Sequence, residues 1–109
     1  MKLRIDPEII SFRIDFDELE YLLEKGHIQE VTPLANGNLR YQVICLPAGS
    51  AATFQTGNNA YILSLSKDII EAHKATLPSL KGIITKFDGG VNVSLEVNLK
   101  KKLKRSLAQ

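Results

Sequence analysis

Apolar residues recur at every second position over much of this chain. Leu3 and Ile5 alternate with Lys2 and Arg4, and Ile10, Phe12 and Ile14 alternate with Ile9, Ser11 and Arg13. A period of two predicts strands with one packed face, and Asp6-Pro7 between them marks a turn. The period then changes. Asp15 stands three residues before Glu18, an acidic form of the capping box in which each carboxylate satisfies a backbone amide of the first helical turn. Phe16, Leu19, Leu22 and Leu23 follow on one helical face, with Asp17, Glu18, Glu20 and Glu24 on the other. Lys25-Gly26 ends the helix with a cation and a residue suited to a left-handed cap.

Extended structure returns from His27 to Thr32, closed by Pro33. Asn36-Gly37 is a tight-turn signal, and the spacing of Leu39, Tyr41, Val43 and Cys45 predicts a strand over 38–46. Pro47-Ala48-Gly49-Ser50 breaks it, residues 52–56 resume extended structure, and Gly57-Asn58-Asn59 turns the chain into Tyr61, Leu63 and Leu65. Ser66 is placed to cap a second helix of about ten residues, with Ile69, Ile70, His73 and Leu77 as its apolar stripe and Pro78 as its limit. It lacks a Glu or Gln partner at the third helical position, so this cap is a weaker signal than the first. Ile83, Thr85 and Phe87, then Asp88-Gly89-Gly90, then Val91, Val93, Leu95 and Val97 read as a closing hairpin. The pattern shows no internal repeat. The order ββαββββαββ predicts an α+β fold, a mostly antiparallel sheet of about six to eight strands with two helices packed on one face.

Composition narrows the class. With 109 residues, 44% apolar and 24% charged, the chain is the length of one domain and too apolar for a disordered segment. It assembles no apolar run of the length that spans a bilayer, and its first residues lack the apolar stretch of a secretory signal. A lone cysteine, Cys45, forms no internal disulfide, and together these features point to a reducing cytoplasm.

Charge divides the chain in two. Residues 1–99 hold twelve acidic and nine basic side chains, a net of −3, whereas Lys100, Lys101, Lys102, Lys104 and Arg105 reverse the sign with +5. Residues 1–98 are therefore read as a single domain and 99–109 as a basic tail, either helical through Leu99, Leu103 and Leu107 or disordered. Such a tail attracts phosphate backbones or an anionic membrane surface without sequence specificity. It carries no aromatics for stacking on bases, so sequence-specific nucleic-acid recognition has no support.

Candidate chemistry is sparse. Gly89-Gly90 lies between two strands, where a phosphate-cradling loop would need a following helix N-terminus. Cys45, His27 and His73 stand too far apart for a metal motif, so no metal or cofactor is expected. Cys45 shares the face of Leu39, Tyr41 and Val43 and reads as core; His73 lies on an apolar stripe, and His27 follows a cap glycine. No catalytic residue is assigned. The stronger candidate is a basic sheet face: if Leu3, Phe12 and Ile14 point inward, Lys2, Arg4 and Arg13 point outward, and Arg40 is the candidate fourth member. Four cations on one face suit an anion. The plainer expectation is that they pair with Glu8, Glu30 or Glu96 on neighbouring strands.

The opening Met1-Lys2-Leu3-Arg4-Ile5, the Phe12-Arg13-Ile14 step into an acidic-start helix ending at Gly26, Glu30 and the strand from Leu39 to Tyr41 resemble a family of small bacterial proteins of unknown function with an M-K-I-R start. The likeness covers about the first half of the chain and departs at Asp6-Pro7 and in the basic tail. It implies a bacterial, cytoplasmic α+β domain and marks Lys2, Arg4 and Arg13 as positions of the family pattern. It carries no activity. The expectation is a non-enzymatic binding or interaction domain, self-associating or meeting a protein partner through an exposed sheet face or edge, or holding a small anion. The alternative is a small enzyme for an anionic substrate, with Arg4, Arg13 and Arg40 holding charge and Glu30 or Glu96 as base.

Overall fold

Local alternation becomes four antiparallel hairpins. The computed structural model describes residues 1–79 and 81–99, in the order β1 (Lys2–Ile5), β2 (Ile9–Asp15), α1 (Phe16–Lys25), β3 (His27–Leu34), β4 (Gly37–Leu46), β5 (Thr53–Gly57), β6 (Ala60–Ser66), α2 (Lys67–Ala75), β7 (Ile83–Phe87) and β8 (Val91–Asn98). Strands β1 and β2, β3 and β4, β5 and β6, and β7 and β8 each pair antiparallel. The turn between β5 and β6 places Asn58 and Asn59 at φ of 51° and 59°, the backbone that asparagine tolerates and that matches the twist of a two-residue hairpin. Pro33 is accommodated inside β3 because β3 is an edge strand, where a missing amide costs no ladder bond.

The expectation of one mostly antiparallel sheet is corrected at the next level. Two four-stranded sheets form, in the orders β1-β2-β8-β7 and β3-β4-β6-β5, and the central pair of each, β2 with β8 and β4 with β6, is parallel. The fold is α+β with mixed sheets. Each sheet joins one hairpin from the first half of the chain to one from the second.

That pairing exposes a repeat that the sequence hides. Both halves run ββαββ, and exchanging β1 to β4 with β5 to β8 converts one strand order into the other. Register makes the equivalence residue by residue: Phe12 lies opposite Leu95 in one parallel ladder, and Leu63 lies opposite Val43 in the other. All four are buried in the same core. The caps also correspond, with Asp15 preceding α1 and Ser66 preceding α2.

The inner faces of the two sheets meet each other, rather than one sheet meeting two helices. Phe54 of β5 stands edge-on to Phe12 of β2, with ring centroids 6.3 Å apart, and lies 5.9 Å from Phe87 of β7. Leu19, Leu22 and Ile70 of the helices complete that core, each large side chain contributing roughly 1.5–3 kcal/mol when fully buried. Helix α1 touches β2 and β8 of one sheet and β3 and β4 of the other. Its capping box is complete: the Glu18 amide donates to Asp15 Oδ1 at 2.8 Å, and the Asp15 amide donates to Glu18 Oε1 at 3.0 Å. Gly26 closes it at φ 89°. Helix α2 has no side-chain cap bond from Ser66 and ends at Ala75, so Leu77, expected on its stripe, lies beyond it.

Candidate functional site

Alternation along β1, β2, β7 and β8 decides which side chains leave the core. Phe12, Val93 and Leu95 point inward, so their neighbours in sequence point outward. Register then lays those outward residues in rows. Lys2 lies opposite Arg13, which lies opposite Glu96; Arg4 lies opposite Ser11, then Ser94, then Ile84; and Ile9 lies opposite Asn92, then Lys86. Lys2, Arg4 and Arg13 thus share one sheet face, joined by Lys86.

Arg40 is not among them. It belongs to β4 of the other sheet, opposite Ala60 of β6 and Val31 of β3, and lines a separate hollow of about 220 Å³ with Gln55 and Asn58. Alternation alone left its sheet membership open, and the β4–β6 ladder decides it. The tail candidates Lys100, Lys101, Lys102, Lys104 and Arg105 lie outside the described residues.

One expected ion pair forms, Arg13 with Glu96 on the neighbouring strand, and the others differ. Arg13 Nε reaches Glu96 Oε1 at 3.6 Å, and Arg4 Nε reaches Asp6 Oδ2 at 3.0 Å. Glu30 instead faces the amino-terminal ammonium at 3.4 Å, which also contacts Glu18. Among the described residues Lys2 and Lys86 have no ion-pair partner. The Arg13 contact is longer than a charge-assisted hydrogen bond of about 2.7–2.9 Å, and the Arg13 side chain stays partly exposed.

Two serines sit in the middle of this outward face and are nevertheless buried. Ser11 and Ser94 share a hydrogen bond of 3.0 Å, and Ser94 Oγ donates to Glu96 Oε2 at 3.1 Å. A hydroxyl has one proton, so with that of Ser94 on the carboxylate, Ser11 supplies the other bond. Glu96 is thereby fixed from two sides, by Ser94 and by Arg13. Gly82, just before β7, gives its stem room: a Cβ there would come within 2.8 Å of Glu96 Cγ and 2.5 Å of the Leu95 carbonyl oxygen.

At the carboxyl ends of β2 and β8 this face runs into a groove of about 520 Å³. Arg13 and Glu96 supply its charged lining, and Pro78, Ser79, Val97, Asn98 and Leu99 the remainder. A second groove of about 550 Å³ lies beside α1, lined by Asp15, Asp17, Glu18, Tyr21 and His27 among others; Asp15 and Glu18 are engaged there by the cap. Among the described residues no group of three His, Cys, Asp or Glu side chains converges as metal ligands would.

The remaining titratable candidates are shaped by burial. Cys45 has its thiol pushed up, chiefly by burial, which disfavours the nucleophilic thiolate. His73 is pushed down by burial. Asp68 is held low, first by the Gly49 amide that donates to it at 3.0 Å. Lys86, Ser11 and Ser94 were not singled out as site residues from the sequence, although the alternation of Ile83, Thr85 and Phe87 already placed Lys86 outward. The serines became visible only through the parallel β2–β8 ladder.

Among the described residues no helix is long and apolar enough to cross a membrane. A family of unknown function, DUF7009, matches residues 1–104, well beyond the first half that carried the sequence resemblance. No curated protein matches the chain.

Proposed function

The chain belongs to this family of unknown function, and on that premise we propose that it is a non-enzymatic binding domain whose β1-β2-β8-β7 sheet presents its outward face to an anionic partner. One observation carries the reading. The two sheets are topologically equivalent, yet Lys2, Arg4, Arg13 and Lys86 occupy positions that correspond by register to Thr53, Gln55, Ser64 and Val31 on the other sheet. The fold therefore builds the same face without those cations. Their collection on one side supports a role outside folding: Lys2 and Arg13 lie directly opposite each other, a like-charge pairing that costs stability and that Glu96 offsets only at 3.6 Å. The lone Cys45 suits a reducing compartment such as the cytoplasm.

Titration with tripolyphosphate, followed by backbone amide shifts, tests this. Binding that shifts β1, β2 and β8, weakens at least about tenfold in Arg13→Ala, and survives in Arg40→Ala is the expected result, since a charge-assisted contact of this kind is worth about 1.5–3 kcal/mol. Equal affinities of wild type and Arg13→Ala would remove the reading.

A further inference from the structure

The groove at the end of the basic face differs in character from the face itself. Its lining combines the Arg13 guanidinium and the Glu96 carboxylate with Pro78, Ser79, Val97, Asn98 and Leu99. Pro78 and Ser79 belong to it because the two halves of the chain differ there. Gly26 alone joins α1 to β3, whereas residues 76–82 join α2 to β7, and Pro78 and Ser79 of that longer connection stand over the Arg13 side of the sheet. Its volume of about 520 Å³ falls in the range of small-molecule sites, about 300–1,000 Å³.

The charges in it are arranged for a guest of one kind. Glu96 is held by Ser94, and its contact with Arg13 Nε, at 3.6 Å, is longer than a charge-assisted hydrogen bond. The parallel donors of a guanidinium match two oxygens of a carboxylate or phosphate. Lys2, outside the groove's lining but directly across from Arg13 on β1, adds a second cation on the side away from Glu96. An oxyanion placed there gains two cations and avoids the carboxylate, while any carbon chain attached to it runs along the apolar lining.

We propose that this groove holds a small organic oxyanion with a short apolar body, its head on Arg13 and Lys2 and its body along Pro78, Val97 and Leu99. This rests on the anion-binding reading of the face and assigns it a ligand class. Glu96 acts as a discriminator, repelling a second negative charge at the groove end and favouring a monovalent head group.

Calorimetric titration of the whole chain with hexyl phosphate and hexanoate, against inorganic phosphate and acetate, provides the test. Burying two methylene groups is worth about tenfold in affinity, so each alkyl anion should bind at least that much tighter than its bare counterpart. Leu99→Ser should abolish the preference and leave the bare anions unchanged, and Glu96→Gln should tighten all four. Thermal melts by circular dichroism matching wild type would show that the variants are folded. Arg13→Gln should lose binding of every probe. Tripolyphosphate binding that depends on Arg13, with no alkyl preference, would overturn the groove assignment and leave the face reading standing. Absence of binding by tripolyphosphate and by the alkyl anions alike would overturn both.

Discussion

The two ββαββ halves agree where they face each other and diverge where they end. Phe12 and Leu63 occupy equivalent buried places, as do Leu95 and Val43, and Leu19 and Ile70 on the helices. The helix caps are unlike: Asp15 completes a capping box, while Ser66 makes no cap bond. Counting from those caps, fully buried Leu22 of α1 corresponds to half-buried His73 of α2. The exits differ too, a single glycine in one half and residues 76–82 in the other. The shared architecture thus requires apolar volume at the inner positions, whereas caps, exits and outward faces are free to specialise.

Substitutions at paired positions separate what the two halves share from what each holds alone. The largest effects belong to the core: Phe12→Ala should cost about 3–5 kcal/mol and Leu63→Ala about 2–5 kcal/mol in urea denaturation. A large loss at one with none at the other would end the equivalence of the two ladders. Next come the caps. Asp15→Ala should cost about 1 kcal/mol, with a smaller change for Ser66→Ala, because only the first side chain holds a helical amide. Similar losses at both would mean that Ser66 caps its helix after all.

The smallest effect depends on pH. Burial holds the folded-state value of His73 below its ordinary 6.5, so the unfolded chain takes up a proton at that residue before the folded one does. Stability is then unaffected well above 6.5 and falls as pH drops through 6.5 toward the lowered value. His73→Leu, which restores the residue type of the equivalent Leu22, should flatten that part of the profile. Urea midpoints at pH 7.5 and 5.5 for both proteins would decide it; parallel curves would show that His73 titrates as an ordinary exposed histidine.

Legibility in the sequence followed the range of the interaction involved. Strand alternation, the Asp15–Glu18 box, Gly26 and the turns at Asn36-Gly37 and Asp88-Gly89-Gly90 involve neighbours within a few residues, and these were readable. Lys2, Arg4 and Arg13 were legible as one face because a short hairpin fixes β1 against β2. Arg40 was misplaced since its face depends on which sheet β4 joins, a matter decided by β6. The repeat went unseen because equivalent positions share burial without identity, as Phe12 with Leu63 or Asp15 with Ser66. The groove was out of reach altogether: it requires Pro78 and Ser79 to stand beside Arg13, and nothing local in either segment records that.

The parallel ladders also govern how the chain is completed during synthesis. A nascent chain that has emerged only as far as Leu46 contains the residues of two hairpins and a helix, yet β2 still awaits β8 and β4 still awaits β6. Ile10 must wait for Val93, and Val43 for Leu63, so one sheet closes long before the other. Contacts of such long span make folding slow, and until translation passes β8 the open side of β2 is a template for pairing with another molecule. A truncated product would carry that open strand permanently, which makes chain termination before Val91 a route to aggregation rather than to a smaller functional domain.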